Sequence, residues 1–177
     1  MQEQLLNKDD IDEIIAEASE RIIEDVSDLN NFAVIGIQTR GVELARRIRQ
    51  KLHELSGSEI KSGTLDITFH RDDLATRGVL PLIKETKIEI DITGMVILLV
   101  DDVLFTGRTI KAALETLTTF GRPQIIRLFT LVDRANRELP IQPDYCGYTV
   151  ETSIKDKVRV RLNEIDSVDD AVYMERL

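Results

Sequence analysis

"MVILLVDDVLFTGRT", residues 95–109, runs from an apolar stretch into two adjacent carboxylates and then through a glycine turn. A short apolar run without alternation is the pattern of a parallel strand buried on both faces. Residues 95–100 are therefore predicted to form such a strand. After the turn, Ile110, Ala113, Leu114, Leu117 and Phe120 mark one face of a helix that Gly121 and Pro123 stop.

The same order precedes this stretch. Phe32-Ala-Val-Ile-Gly-Ile37 reads as another buried strand, Gln38-Thr-Arg-Gly41 as a turn, and Val42 to Leu55 as a helix. Val42, Ala45, Ile48, Leu52 and Leu55 give that helix its apolar face, with Arg46, Arg47, Arg49 and Lys51 filling much of the rest and Ser56-Gly57 ending it. Upstream, residues 8–27 form an amphipathic helix with Asn7 as N-cap. Downstream, Ile125 to Val132 is a third strand ending in Asp133-Arg134, followed by two shorter candidates, 145–150 and 158–162. Thr64 to His70 alternates, with Leu65, Ile67 and Phe69 on one side, and predicts a strand with one solvated face. The polar stretch 71–85 after it reads as a long mobile loop.

Strand, loop, helix, strand is thus the repeating order. It implies α/β architecture: parallel strands joined by right-handed crossovers, with helices on both faces. Ligands of such sheets bind at the carboxyl ends of the strands. The 177 residues fit one domain, 1–177, without a linker.

Composition narrows the function classes. The chain is 42% apolar and 31% charged, without low-complexity tracts. Its start, MQEQLLNKDD, lacks the basic and apolar regions of a signal peptide, and no apolar run approaches a membrane span, so a cytoplasmic location without membrane contact is expected. Cys146 is the sole cysteine, which excludes an internal disulfide, and neither His53 nor His70 lies near it with zinc-ligand spacing. These three residues read as structural or solvated. A net charge of −9 disfavours broad attraction to nucleic acid, while leaving a local basic patch open.

Three loops should meet at the ligand edge of the sheet: Thr39-Arg40-Gly41, Asp101 to Thr109, and Asp133-Arg134. Thr106-Gly-Arg-Thr109 opens a helix, so its free N–H groups and the positive end of the macrodipole favour an anion such as a phosphate monoester. Thr106 serving only as a helix cap is the bland alternative. Asp101 and Asp102 sit at a strand terminus, where adjacent acids repel and add nothing to the core. A polyhydroxyl or metal-bearing ligand would compensate them. A receiver-domain acid pair is disfavoured, because such a pair lies near the N-terminus, and the absence of G-x-x-x-x-G-K-[ST] excludes a Walker loop.

The apolar strand, two acids, three mostly apolar residues and TGRT closely resemble the 5-phosphoribosyl-1-pyrophosphate (PRPP) signature of type I phosphoribosyltransferases, here about 97–109. "VIGIQTRG", "LDITFHRDDL", "DITGMVILLVDDVLFTGRT" and "LVDRANRELPIQPDYCG" further resemble the PyrR family of pyrimidine operon attenuation regulators and uracil phosphoribosyltransferases, over nearly the whole chain. The resemblance implies a central, mainly parallel sheet flanked by helices with a small hood. It also implies transfer of phosphoribose from PRPP to uracil, giving UMP and pyrophosphate with Mg2+. The metal would be held through PRPP and water, without direct protein ligands.

Carried over by resemblance, Asp101 and Asp102 bind the ribose hydroxyls and favour an oxocarbenium-like ribose, while Thr106, Gly107, Arg108 and Thr109 bind the 5′-phosphate. Thr39, Arg40 and Gly41 match the pyrophosphate loop, and Arg71 lies in the lid that would close over it. Val103, Phe105, Val132, Asp133 and Arg134 would flank the base; Arg134 would reach a uracil carbonyl, or else pair with Asp133 on the surface. At Phe105 many purine-using relatives carry an acid, so the aromatic points to an apolar wall beside a pyrimidine.

The family also binds pyr leader RNA with uridine nucleotides (UMP, UTP) as co-effectors and forms dimers or larger homo-oligomers. Ala16, Glu17 and Glu20 stand where RNA-binding relatives carry threonine, arginine and histidine, and Gln142 and Tyr148 where they carry arginine and lysine, although Arg137 remains. Weakened RNA binding is expected. The alternative is a nucleotide-responsive RNA regulator with vestigial catalysis, using another patch such as Lys155, Lys157, Arg159 and Arg161.

Overall fold

The two apolar runs at 32–37 and 95–104 form neighbouring strands of a five-stranded parallel sheet. The computed structural model describes residues 2–67 and 85–176. Along the chain run β1 (Gln2–Leu6), α1 (Lys8–Asp25), β2 (Phe32–Ile37), α2 (Arg40–Ser56), β3 (Lys61–Leu65), β4 (Val96–Leu104), α3 (Arg108–Leu117), β5 (Ile125–Asp133), β6 (Tyr145–Thr149), β7 (Lys157–Arg161), α4 (Asn163–Asp166) and β8 (Ala171–Glu175). The main sheet has the order β3-β2-β4-β5-β6, every neighbouring pair parallel.

Both faces of this sheet are covered, which is why its strands lack alternation. Val34, Leu98, Val100, Phe129 and Leu131 pack with Ile11, Ile15 and Ile22 of α1 and Leu44, Ile48 and Leu52 of α2. On the other side Ala33, Ile35, Ile37, Ile97 and Leu99 pack with Ile110, Ala113 and Leu117 of α3. Each fully buried large aliphatic side chain contributes roughly 1.5–3 kcal/mol relative to exposure.

Local chemistry sets the helix ends. Asn7 caps α1 as expected: its side chain accepts the Asp10 N–H, and the Asp10 carboxylate accepts the Asn7 N–H in return. The helix ends at Asp25, short of residue 27, because Val26 is already extended. Gly57, at φ 70°, ends α2. The third helix stops at Leu117, and Phe120, expected on its apolar face, is 42% exposed. Its N–H and that of Thr119 bond three residues back, to Leu117 and Thr116, so tight turns replace the last helical turn.

The strand expected at 64–70 lies at Lys61–Leu65 instead. Pairing with β2 stops at Ile37↔Leu65, because β2 turns there into a loop. Leu65 and Ile67 are buried as the alternation requires, whereas Phe69, His70 and almost all of the stretch read as a mobile loop, Arg71 included, lie outside the described residues.

A second, antiparallel sheet of order β1-β8-β7 forms the hood. The candidate strand at 158–162 belongs to this sheet. Neither β1 nor β8 was foreseen. Gln2, Glu3 and Gln4 of β1 are exposed, so that strand carries almost no apolar signal. Val160, Leu162 and Val172 bury the hood's inner side in the same core as α1 and α2, and Met174 is buried as well. Among the described residues no helix is long and apolar enough to cross a membrane.

Candidate active site

The carboxyl ends of β2, β4 and β5 bring the three predicted loops together. The first is tightly seated. A Cβ on Gly41 would lie 2.4 Å from the Val100 carbonyl oxygen and 3.2 Å from Asp101 Cα, and one on Gly36 would lie 2.5 Å from Val42 Cα. Glycine at these positions lets the 38–41 backbone press against β4 beside the carboxylates. The Gln38–Thr39 peptide is cis, and Thr39, N-cap of α2, makes no side-chain capping bond. Arg40 Nη2 donates to Asp166 Oδ1 of α4 at 2.6 Å.

Asp101 and Asp102 lie within β4, not at its end, since the strand continues to Leu104 and Asp101 pairs in register with Thr130. Successive strand side chains project to opposite faces, which lessens the repulsion expected of adjacent acids. Asp101 is 6% exposed, and its Oδ1 accepts the N–H of Asp102 at 3.0 Å. Asp102 and Val103 are half-buried.

Gly107, at φ 93°, precedes α3 and makes the turn that an L side chain would strain. Thr106 Oγ1 accepts the Arg108 N–H at 3.3 Å, so the threonine also serves the first turn. The N–H groups of Thr109 and Ile110 follow in that first turn, where no preceding helical carbonyl exists to take them. The Arg108 guanidinium pairs with Glu138 at 2.6 Å, and the Thr106 carbonyl accepts the N–H groups of Glu138 and Leu139. The 137–141 segment therefore buttresses the turn from outside.

In the third loop the surface pair between Asp133 and Arg134 does not form. Asp133 Oδ2 accepts from Arg137 Nη2 at 2.6 Å and Oδ1 accepts the Ala135 N–H at 2.9 Å. Arg134 is 7% exposed and lies over Phe105, its guanidinium carbon 3.9 Å from the ring centroid. Its Nε donates to Thr152 Oγ1 at 3.1 Å, and its Nη2 to the carbonyls of Ser153 at 3.1 Å and Asp156 at 2.7 Å. Burial pushes the Arg134 guanidinium below its usual pKa, with Asp156 opposing. Arg137 also donates to the carbonyls of Phe105, Ala135 and Ile141. The Arg134 N–H bonds the Leu104 carbonyl at 3.0 Å, which joins the second and third loops directly. Val132 is fully buried behind them.

Sequence reasoning missed Glu138, Thr152 and Asp166 and assigned Arg137 elsewhere. The i,i+4 spacing of Asp133 and Arg137 was the available signal for that pair; Asp166 meets Arg40 only through the hood. Of the residues considered for RNA, Glu17, Glu20 and Gln142 are exposed acids and an amide, and Tyr148 is half-buried. Arg159 pairs with Glu175 at 2.9 Å and Arg161 lies over Tyr173, so that strand's cations are partly neutralised within the hood.

The family model described as "Phosphoribosyl transferase domain" matches residues 1–165. "Bifunctional protein PyrR" of Chloroflexus aurantiacus is 44% identical over 173 residues, 98% of this chain and 95% of that protein. "Bifunctional protein PyrR" of Roseiflexus sp. is 45% identical over 99% of this chain and 96% of its own. Among solved structures, a hypoxanthine phosphoribosyltransferase from Staphylococcus aureus superposes with a TM-score of 0.70 at 20% identity, covering 96% of this chain and 90% of that one. A hypoxanthine-guanine-xanthine phosphoribosyltransferase gives 0.68 at 20% identity, covering 96% and 92%. At these identities the two structures share the fold. With its acid pair and TGRT turn placed at the carboxyl edge of the parallel sheet and its likeness to the PyrR relatives over nearly its whole length, the chain belongs to the PyrR family of phosphoribosyltransferases.

Proposed function

We propose that the protein joins uracil to PRPP, forming the bond from uracil N1 to ribose C1′ as the C1′–diphosphate bond breaks, with loss of the N1 proton. The observation that carries this reading is the meeting of the 39–41 loop, the acid pair and the glycine turn at one sheet edge. In it, Asp101 and Asp102 hold the ribose hydroxyls and favour positive charge at C1′. The turn 106–109 holds the 5′-phosphate through backbone N–H groups and hydroxyls, with Arg108, braced by Glu138, adding positive charge. Thr39, Arg40 and Gly41 receive the diphosphate. Val103, Phe105, Val132, Asp133 and Arg134 bound the base site, with Phe105 as the apolar wall. Because Asp133 Oδ1 and Oδ2 hold the 133–137 turn, Asp133 contributes there by shaping the loop.

Among the described residues no group of three or more His, Cys, Asp or Glu could hold a metal alone. Magnesium would instead be held through the substrate's diphosphate and ribose hydroxyls and water, with Asp101 and Asp102 beside it holding those hydroxyls rather than ligating the ion. Bound there, the ion would stabilise the departing diphosphate. Arg71 belongs to the proposed lid.

The test is PRPP- and magnesium-dependent conversion of labelled uracil to UMP. The wild type should turn over, and the double variant Asp101→Asn, Asp102→Asn should lose on the order of 100-fold in kcat/KM. Unchanged turnover in that variant would refute the assignment.

The name "Bifunctional protein PyrR" carried by the relatives favours a second activity, proposed here in weakened form: binding of pyr leader RNA with UMP or UTP as co-effector. Exposed Glu17 and Glu20 on α1 repel phosphates, and Arg137 is committed to four acceptors, three in its own loop and the Phe105 carbonyl of the second. Binding to leader RNA should therefore be weak, both with and without UMP, in a filter or fluorescence assay. Submicromolar, sequence-specific affinity would overturn that expectation. A homodimer or larger homo-oligomer is also proposed, checked by sedimentation.

A further inference from the structure

We propose that Asp166 is a positioning residue: it acts through Arg40 to hold the 39–41 loop in the geometry that receives the diphosphate. The inference rests on the role given to that loop above.

The loop lacks the usual local lock, because Thr39 caps α2 without a side-chain hydrogen bond. What fixes Arg40 comes from far along the chain. Its Nη2 bonds Asp166 Oδ1 at 2.6 Å, with the two side chains only 32% and 23% exposed. Among the described residues the buried Arg40 Nε has no hydrogen-bond partner, so the bond to Asp166 is what sets where the guanidinium sits there.

Asp166 is itself held rigidly. Its Oδ2 accepts the Leu162 N–H at 2.9 Å and its own N–H bonds the Leu162 carbonyl at 2.8 Å. The short turn that carries it is pinned again where Asp170 Oδ1 accepts the Asn163 N–H at 2.8 Å. The carboxylate is thus built into the hood rather than swinging on the surface.

The same helix grips the same hood segment a second time. Arg47, two turns beyond Arg40 and on the same side of α2, pairs with Asp170 and with Glu164, each at 2.5 Å. This second grip fixes the distance between α2 and the hood independently of Asp166. Beyond closing its own turn through the Leu162 N–H, Asp166 is left with one task toward α2, to place the arginine that starts the helix and lies in the loop.

The experiment is a double-mutant cycle on the full chain: Arg40→Ala, Asp166→Ala and both together, with Asp166→Glu and Glu164→Gln alongside. PRPP is varied at saturating uracil and magnesium, and thermal midpoints are recorded. Asp166→Ala should raise KM for PRPP about tenfold with a smaller change in kcat, and the double variant should be no worse than Arg40→Ala. Asp166→Glu should recover most of the loss. Glu164→Gln, which loosens the Arg47 and Arg46 contacts to the hood and leaves the Arg40–Asp166 bond in place, should stay within about twofold of wild type.

Three results would each overturn the proposal: Asp166→Ala leaving KM for PRPP within about twofold, its effect persisting in full without Arg40, or Glu164→Gln costing as much. If the wild type makes no UMP, the uracil reading fails by itself. The cycle is then read as calorimetric binding of magnesium PRPP, where a loss in Asp166→Ala that vanishes without Arg40 supports the proposal and equal affinity overturns it. No PRPP binding by wild type overturns both.

Discussion

Phe105 shows how a single side chain is read differently by sequence and structure. In the sequence it is an aromatic where an acid would suit a purine, and its proposed role is a wall. In the structure its ring lies against a buried guanidinium and its carbonyl accepts from Arg137, so both ring and backbone are fixed by the third loop. A cation over an aromatic face contributes about 0.5–2 kcal/mol depending on solvation. Phe105→Asp would exchange that contact for an ion pair with Arg134 and draw the new side chain toward it. Its kcat/KM for uracil should fall at least tenfold, with KM for PRPP within about threefold. Competition between uracil and hypoxanthine measures the shift in base choice, and an unaltered ratio with unaltered uracil kinetics would sink the wall assignment.

At the scale of elements, patterns confined to one segment were legible. The buried strands, the Asn7 cap and the glycine turn before α3 follow from residues within a few positions of each other. What escaped was non-local: β1 with its polar exposure, and the partners of Arg40, Arg108 and Arg134, which arrive from later loops. An acid at residue 166 has no sequence pattern that points to residue 40. The junction of α1 and β6 is of this kind too. Tyr145 is buried, and its hydroxyl donates to Asp25 Oδ2 at 2.9 Å; burial and that carboxylate push its pKa from 10.0 up to about 12. The protonated hydroxyl thus supports the fold fully below pH 10, and the support is lost as pH rises toward about 12. Ultraviolet titration should show one tyrosine ionising after the others, absent in Tyr145→Phe. In Asp25→Ala its midpoint should move down; an unmoved midpoint would remove Asp25 as a cause.

For the molecule as a whole, the hood is fastened to the parallel sheet by arginines as well as by apolar packing. Arg40, Arg46 and Arg47 reach Asp166, Glu164 and Asp170, and Arg134 reaches the 152–156 segment. For Glu164, burial opposes ionisation, but hydrogen bonding from Arg47 prevails and lowers its pKa from 4.5 to about 2. Its contribution is therefore complete above pH 4.5 and fades as pH falls toward about 2. Because the pair is partly exposed, salt should weaken it. Hydrogen exchange across that acidic window should show β7 and β8 amides losing protection before those of β2 and β4, and Glu164→Gln should flatten the pH dependence. Simultaneous loss in all four strands would refute a separately fastened hood. The order of the hood's strands carries one more consequence. Its central strand, β8, is made after every strand of the parallel sheet, while its outer strand β1 precedes them all and waits for Gln2 to meet Glu175. During synthesis the carboxyl edge of the parallel sheet, the proposed ligand site, can therefore be assembled before its roof exists, and the bond from Asp166 to Arg40 is among the last to form.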